Sequence, residues 1–478
     1  MSVELQVNDF PKLDDPPAAV QPPETGAAGE GANDLEAILG EPFARTQEFW
    51  ICLGLAAALG AALAFPCLGF VEAVEHVPDA WLGSDPDARF GQGKWWWLAI
   101  TTGTGAAVGA ARYLLRAPAK EAGMLKMTQA MWVEPLSALQ AVPVSLISLM
   151  GGASLGPEAA LGTLGGAAGT FVAEWLKLER PIQAASTMAG MGGAFGGLLS
   201  SPVLASLLLL ELMRPGKKDF PKMLICIIVA TSISFAIFYP ITGASFLKVY
   251  ELPPYTYSDW HLFAGIVMGA IAALVGVAMI VIVALVKKVA ARLGLQPEGY
   301  KPGWRAALKA VLVPTGGGLV YGLIGIAMPL TFGSGSAQLG QMIAQTQAGR
   351  LSAGLLAASM FAKMVTFAVC FSTGFVGGFV FPVLFIGGAA GTLVYKLCPW
   401  LPWGLCFSCM FAAVPGSILP LPLFLIFMSG YSISINAVEL SPVVLALVTA
   451  FVVQAGLGMV LTLATRARAR AAQTQRAA

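Results

Sequence analysis

Charged side chains are scarce in this sequence, because only 11% of its 478 residues are Asp, Glu, Lys or Arg. A soluble globular domain carries about 25% charged residues. Hydrophobic residues make up 57% of the chain, so a soluble protein of this length is excluded. The composition predicts an all-α polytopic membrane protein, in which each span takes about 20 apolar residues.

Other scarce residue types narrow the function. The net charge of +2 leaves no basic face for a nucleic acid. Two histidines, His76 and His261, are too few for a histidine-based metal site. The seven cysteines are odd in number, and Cys406 and Cys409 have CxxC spacing without a second pair, which favours buried thiols. No metal and no cofactor are expected.

Aspartate is missing from the apolar runs, since all nine aspartates lie in the N-terminal tail or in polar loops. This distribution excludes an intramembrane protease that uses paired aspartates. The two histidines lie at the expected outer edges of apolar runs, which disfavours a Ser–His intramembrane protease. No nucleophile and base are embedded together, so an enzyme is not expected.

The chain divides into three parts by composition. Residues 1–45 form an acidic tail that cannot bury enough apolar surface to fold, so we expect disorder there. Residues 46–465 form the transmembrane transport domain, and residues 466–478 form a basic C-terminus. By the positive-inside tendency, basic stretches face the cytoplasm. The sequence therefore predicts a multi-pass protein of the cell membrane with both termini cytoplasmic; the basic stretches are 112–126, 214–222, 287–309 and 466–476.

The two halves of the transmembrane domain resemble each other. GGASLGPEAALGTLGG (151–166) is followed by SSPVLASLLLLELMRP, and GFVGGFVFPVLFIGGAAG (374–391) is followed by ILPLPLFLIFMSGY. Gly/Pro-interrupted apolar segments at corresponding places indicate inverted repeats, here roughly 46–245 and 246–465, with tilted and re-entrant helices and a site near the midplane. The alternative is that the small residues only permit close helix packing.

Glu158 is the most informative acid, because acids inside apolar runs are rare and usually functional. It follows Pro157, which suits the first turn of a helix. A helix N-terminus presents unpaired N–H groups and a positive dipole, so it is an anion site that a carboxylate can itself occupy. If the carboxylate swings away or is protonated, a free halide takes its place. The alternative is a simple stabilising acid at a helix start.

The second half supplies a matching helix start. A Gly-rich stretch with Gly377 and Gly378 leads into a helix with Pro382 in its first turn, which leaves the N–H groups of Phe379 and Val380 without intrahelical partners. Two such N-termini would bind an anion without a buried Lys or Arg. Weak, dipolar binding of this kind suits fast passage.

At these residues the sequence resembles the CLC family of chloride channels and proton–chloride exchangers, over about residues 49–460. The stretch around Glu158 resembles the family's G-(R/K)-E-G-P motif, and GFVGGFVFP resembles its G-G-x-F-x-P motif. SSPVLASLLLLELMRP resembles the segment N-A-P-L-A-G-x-L-F-x-x-E-E-M-R-P. FAKMVTFAV (361–369) and TFGSGSAQ (331–338) are also similar to family segments. The resemblance implies a homodimer in the lipid bilayer in which each subunit has its own pore.

The resemblance assigns roles to individual residues. It makes Glu158 the gate, and it places Met124 where the family has a serine that lines the central site. It also places Leu212 at the inner proton-relay glutamate of exchangers, with only Glu211 beside it as a proton-path candidate, and it leaves the family's late tyrosine unmatched, near Leu461. The implied anion-binding residues are Gly156, Ala159, Gly377, Gly378, Phe379, Val380, Phe381 and Met124.

The expected function is transport of chloride or a similar small anion through a pore gated by Glu158, channel-like or loosely coupled to protons. Three alternatives stay open at this point. The first is a strict proton-coupled chloride or fluoride antiporter, and the second is a secondary transporter of an organic anion outside this family. The third is a membrane scaffold protein without transport.

Overall fold

The computed structural model describes residues 46–83, 94–119, 123–213, 219–243, 249–253 and 255–477, with side chains described up to residue 459. Within these ranges the chain forms sixteen α-helices and one short 3₁₀ turn, Pro329–Thr331. The helices are α1 Gln47–Leu82, α2 Trp95–Leu114, α3 Met124–Ala130, α4 Pro135–Met150, α5 Glu158–Trp175, α6 Arg180–Leu198, α7 Pro202–Leu212, α8 Phe220–Thr242, α9 His261–Arg292, α10 Trp304–Ala327, α11 Ser336–Gln347, α12 Ala353–Thr373, α13 Val380–Leu397, α14 Trp403–Gly416, α15 Pro422–Ile433 and α16 Ser441–Ala477.

Seven of these helices are long and apolar enough to cross a bilayer, namely α1, α8, α9, α10, α12, α13 and the first part of α16. Helices α4, α7, α14 and α15 are apolar but shorter. The 12 residues of α15 rise only about 18 Å, against a hydrocarbon core of about 30 Å. Seven spanning helices and several short apolar ones make this a multi-pass membrane protein.

The helices form two sets of eight whose packing is duplicated. In the first set α1 packs on α6 and α8, and α6 packs on α5 and α8. In the second set α9 packs on α14 and α16, and α14 packs on α13 and α16. The repeat boundary expected at 245/246 falls between α8 and α9. The duplicated packing therefore agrees with the repeated Gly/Pro pattern of the sequence.

Prolines and glycines divide the apolar runs more finely than their hydropathy indicates. The run at 184–213 is interrupted at 199–201, because Pro202 begins α7 and the Ser201 side chain accepts a hydrogen bond from the Leu204 N–H. The run at 403–428 is likewise divided, since α14 ends at Gly416 and α15 begins at Pro422. Proline lacks the N–H that a helix interior requires and suits a first turn. Each of these two apolar runs therefore forms two helices.

Two of the domain boundaries expected from composition lie near the ends of the chain. The acidic tail 1–45 lies outside the described residues. The boundary expected at 465/466 falls inside α16, which continues as a helix to Ala477. The helical backbone is therefore continuous across this change of composition.

The polar connection between α9 and α10 is organised around Glu298. Its carboxylate accepts hydrogen bonds from the ammonium groups of Lys309 and Lys301. These two cations lower the pKa of the Glu298 carboxyl to about 2. Because the Glu298 side chain is exposed, its ion pairs are screened by solvent, and the cluster fixes the path of this loop more than it stabilises the fold.

Helices α2 and α10 approach closely through glycines, and this contact joins the two halves. A Cβ atom at Gly105 would collide with the Pro314 carbonyl, and one at Gly318 would collide with the Thr101 carbonyl. In lipid the hydrophobic effect contributes little to helix association, because the lipid tails are themselves apolar. Helices there associate mainly through small residues that let their backbones pack closely. The α2–α10 contact therefore depends on the absence of side chains at these positions.

We predict that Gly105→Ala destabilises the protein by about 1–3 kcal/mol, since the added methyl group must push two backbones apart. Gly103 lies on the same helix with no atom near its open side, so Gly103→Ala is the matched control and should be neutral or slightly stabilising. Thermal unfolding of the purified protein in detergent measures both. Equal midpoints for the two variants would contradict the packing argument.

Candidate functional site

The two Gly-rich breakers, one from each half, pair directly with each other. The Gly156 N–H donates to the Gly378 carbonyl at 2.8 Å, and the Gly378 N–H donates to the Gly156 carbonyl at 2.6 Å. This antiparallel bridge is the only β pairing in the described part of the chain. It brings the N-terminus of α5 and the N-terminus of α13 to the same place.

Neighbouring segments hold the first breaker in position. The Tyr321 hydroxyl donates to the Gly151 carbonyl at 2.8 Å, and the Gly333 N–H donates to the Gly152 carbonyl at 2.9 Å. The Ser148 hydroxyl accepts a 3.3 Å hydrogen bond from the Val376 N–H of the second breaker. Irregular backbone at membrane depth needs such partners, because lipid offers none.

Glu158 lies between the two helix starts. It is the first residue of α5 and is only 3% exposed. Its Oε1 accepts a hydrogen bond from the Val380 N–H at 2.6 Å, and the Phe381 N–H also faces the carboxylate. Its Oε2 is buried and has no hydrogen-bond partner among the described residues. The side chain from one half therefore occupies the N-terminus of the helix from the other half.

Both paired glycines leave room for this carboxylate. A Cβ atom at Gly156 or at Gly378 would collide with the carboxyl group of Glu158. Any other residue at either position would displace the carboxylate from the α13 N-terminus. The same two glycines thus permit the backbone bridge and the position of the acid.

The structure brings most of the expected site residues together. Gly377, Phe379, Val380 and Phe381 surround the start of α13, next to the bridge and the carboxylate. Ala159 follows Glu158 on α5, and its carbonyl accepts a hydrogen bond from the Thr163 hydroxyl. The cluster is centred on Glu158, which lies between the two helix starts.

Met124 lies beside α5 at the level of Gly162, about one helical turn beyond Glu158. It begins α3, is buried, and has its Cγ atom 3.9 Å from the position a Cβ at Gly162 would take. The neighbouring Met127 accepts a hydrogen bond from the Thr163 hydroxyl through its sulfur, at 3.6 Å. The surface beside α5 at this level is therefore made of thioether side chains and not of a serine hydroxyl.

Glu211 has a partner that sequence reasoning did not find. Its neighbour in the sequence, Arg214, lies outside the described residues. The Glu211 carboxylate accepts hydrogen bonds from the backbone N–H groups of Leu423 at 2.7 Å and Phe424 at 2.9 Å. An acid at a helix N-terminus satisfies unpaired donors and opposes the dipole, so Glu211 caps α15. Leu212 beside it is buried.

A buried lysine was also overlooked. Lys363 is fully buried in α12, and its Nζ donates to backbone carbonyls at Thr331, Phe332 and Gly333. The signal was present, because Lys363 is the only charged residue in the apolar run 351–371. A cation inside an apolar run is as rare as an acid there, and it is as strong an indication of a functional residue.

The cysteines and acids form no metal centre in the described ranges, where no three His, Cys, Asp or Glu side chains converge. Cys406 and Cys409 are both buried free thiols inside α14. The chemistry that the site offers is therefore that of backbone N–H groups and one exchangeable carboxylate.

The sequence matches known proteins along most of its length. Residues 115–455 match the profile of the voltage gated chloride channel family. YfeO of Escherichia coli O7:K1 (strain IAI39 / ExPEC), a candidate ion-transport protein, is 30% identical over 344 residues, which cover 71% of this chain and 75% of YfeO. YfeO of Shigella boydii serotype 4 (strain Sb227) is 28% identical over 332 residues, which cover 68% of this chain and 73% of that protein.

Solved structures share the fold at low sequence identity. A slow cyanobacterial Cl⁻/H⁺ antiporter has a TM-score of 0.68 and 17% identity, covering 87% of this chain and 98% of its own. A CLC-type fluoride/proton antiporter has a TM-score of 0.60 and 17% identity, and the match covers 84% of this chain and 97% of the antiporter chain. The family match covers well over half of the chain, and the chain therefore belongs to the voltage-gated chloride channel (CLC) family of anion transport proteins.

Proposed function

We propose that the meeting point of α5 and α13 is the anion site of this transporter and that Glu158 is its gate. The observation that carries the proposal is the 2.6 Å hydrogen bond from the Val380 N–H to the Glu158 carboxylate. A carboxylate in that position uses the donors that a free anion would use. Glu158 and the transported anion therefore compete for one site.

Protonation decides the competition. An ionised carboxylate is attracted to the N–H groups and the positive end of the α13 dipole, whereas a neutral carboxyl is held less strongly. As the pH falls, Glu158 releases the N–H groups and an anion binds them. The residues proposed to form this site are Gly156, Ala159, Gly377, Gly378, Phe379, Val380 and Phe381.

The transported ion is proposed to be chloride or a similar small anion. Backbone N–H groups bind any small anion, so they select weakly by themselves. Met124 offers a polarisable thioether where a serine would offer a hydroxyl donor. Because Met124 departs from the serine of the family at this position, fluoride is kept as the alternative to chloride.

The proposed transport is channel-like or loosely coupled to protons. A proton route from Glu158 needs a second group that can take up a proton, and Leu212 cannot do so. Glu211 has both carboxylate oxygens on the α15 N-terminus, which favours a structural role. The alternative is a strict antiporter, which would need a proton path through Glu211 or water.

The family assignment disfavours both an organic-anion transporter outside the family and a scaffold without transport. We further propose a homodimer in the cell membrane with one pore in each subunit. The acidic tail 1–45 and the basic C-terminus 466–478 would both face the cytoplasm, as the charges of the loops indicate.

The experiment that tests the proposed function is anion efflux from proteoliposomes with simultaneous recording of pH. Chloride, nitrate and fluoride gradients are compared in the same preparation. Flux of at least one of these anions above that of protein-free vesicles is expected. Its absence from reconstituted, folded protein would contradict the assignment of transport to this chain.

Glu158→Gln should make anion flux much less dependent on pH. The neutral amide mimics the protonated, released gate, so the increase of flux that acid produces in the native protein is already present at neutral pH. Glu158→Ala should behave alike. Efflux measured between pH 4 and 8, a range that begins near the ordinary glutamate pKa of about 4.3, decides the question. A native-like pH profile in either variant would remove Glu158 from the gate.

Gly378→Val should weaken chloride binding roughly tenfold, or about 1.4 kcal/mol. The added side chain fills the space in front of the α13 N–H groups that the Glu158 carboxyl occupies, so neither the carboxylate nor an anion fits there. Gly340→Val is the matched control, because no atom lies within 4 Å of its open side. Calorimetry on both detergent-solubilised variants gives the comparison, and native affinity in a folded Gly378→Val protein would place the anion elsewhere.

A chloride gradient should drive little or no uphill proton movement, since Leu212 cannot relay a proton. Glu211→Gln should leave the flux and its coupling unchanged, because an amide oxygen still caps α15. A reversal-potential or proton-pumping assay in proteoliposomes measures both. Stoichiometric proton pumping by the native protein would overturn loose coupling, and its loss in Glu211→Gln would make Glu211 the relay.

A further inference from the structure

Lys363 is a buried cation whose partners are all neutral. It lies in the middle of α12 with no exposed surface. Its Nζ donates to the carbonyl groups of Thr331, Phe332 and Gly333 at 3.1, 3.3 and 2.6 Å. The same ammonium lies 5.2 Å from the centre of the Phe385 ring on α13. Carbonyl dipoles and an aromatic face stabilise a cation but leave its net charge uncancelled.

No carboxylate lies within ion-pair distance of Lys363 in the described part of the chain. The titratable side chain that faces it is the thiol of Cys370, on the same helix. A fixed charge inside a membrane protein is costly. A neutral amide would hold the same loop at less cost, so holding the loop does not by itself explain a lysine here.

The contacts of Lys363 and of Glu158 lead to the same two parts of the structure, which are α13 and the loop 331–333. Glu158 binds the first N–H groups of α13, and Phe385 follows Val380 by five residues, about 7.5 Å along the helix axis. The Gly333 carbonyl binds Lys363, and the Gly333 N–H binds the Gly152 carbonyl in the breaker that leads to Glu158. One buried positive charge and one buried negative charge are thus joined through α13 and through this loop.

We propose that Lys363 is the fixed countercharge of the anion site. With Glu158 ionised, the two buried charges balance. With Glu158 protonated, Lys363 is left uncompensated, and an anion at the α13 N-terminus restores the balance. The site therefore holds one negative charge at a time, either the carboxylate or the transported anion. This inference rests on the proposed function, because it assumes that Glu158 and the anion share one site.

The first test measures chloride affinity by calorimetry with Glu158→Gln as the background, where the site cannot supply its own carboxylate. Adding Lys363→Gln, which keeps N–H donors for the loop carbonyls but removes the charge, should lower affinity roughly threefold to tenfold. Adding Lys363→Arg should leave affinity near that of the background. Lys222→Gln is the matched control, because Lys222 is also buried but lies 3.4 Å from Glu48 and 3.8 Å from Asp219; it should have no effect.

The second test measures thermal stability in neutral buffer without chloride, so that the Glu158 carboxylate and not an anion occupies the site. Lys363→Gln alone leaves the Glu158 charge unbalanced and should lower the unfolding midpoint. Combining it with Glu158→Gln removes both charges and should recover much of that loss. A lysine that only held the loop 331–333 would give the same loss in both backgrounds, because the loop contacts do not involve Glu158.

The outcomes separate this inference from the function on which it depends. Absence of anion flux from the native protein would contradict the proposed function itself. Only the countercharge role would be overturned if the native protein transports anions but adding Lys363→Gln to Glu158→Gln leaves chloride affinity unchanged. If Lys363→Gln folds only when Glu158→Gln is also present, the countercharge role is supported. If neither form folds, Lys363 serves the loop alone and the proposal is overturned.

Discussion

The reciprocal pair of backbone hydrogen bonds between Gly156 and Gly378 is the constraint on which the site depends. Unpaired backbone groups are costly inside a bilayer, so two chain breaks at membrane depth must satisfy each other or be satisfied by neighbouring segments. Here they do both. The bridge fixes where α5 and α13 begin, and the beginnings of these helices carry the N–H groups that face Glu158. Two breaks that would be defects separately together form the arrangement of N–H groups that we propose binds the anion.

Backbone dipoles, and not ion pairs, stabilise the charged side chains inside this protein. Glu158 is bound by N–H groups, and Lys363 is bound by carbonyl groups. Glu211 likewise binds the N–H groups at the start of α15. A carboxylate locked to a lysine at short range would be hard to exchange for a mobile anion, whereas one held by N–H groups exchanges with any ion that uses the same donors. This is the physical basis of the proposed gate.

Membership of the CLC family sets the fold and the class of transported ion, and particular residues set this chain apart within it. Leu212 gives no proton acceptor next to Glu211, and the Glu211 carboxylate is engaged by another helix. Met124 places a thioether beside α5. These differences concern proton coupling and anion choice, and they leave the position of Glu158 between α5 and α13 untouched. The proposed function accordingly keeps the gate and relaxes the coupling.

The sequence by itself determined the membrane class and the duplicated Gly/Pro pattern, and it singled out Glu158, Gly377 and Gly378 as candidate site residues, because hydropathy, helix starts and rare embedded acids are local properties. It also identified α13 as a second helix start. Only the tertiary structure decided that Gly156 pairs with Gly378, that Glu211 caps a helix 212 residues away, and that Lys363 binds the loop 331–333. These contacts join segments far apart in the chain, and no periodicity or motif within one segment encodes which distant backbone groups will meet it. The sequence placed Glu158 at a helix start, but the helix whose N–H groups it binds, 222 residues away, was settled by packing.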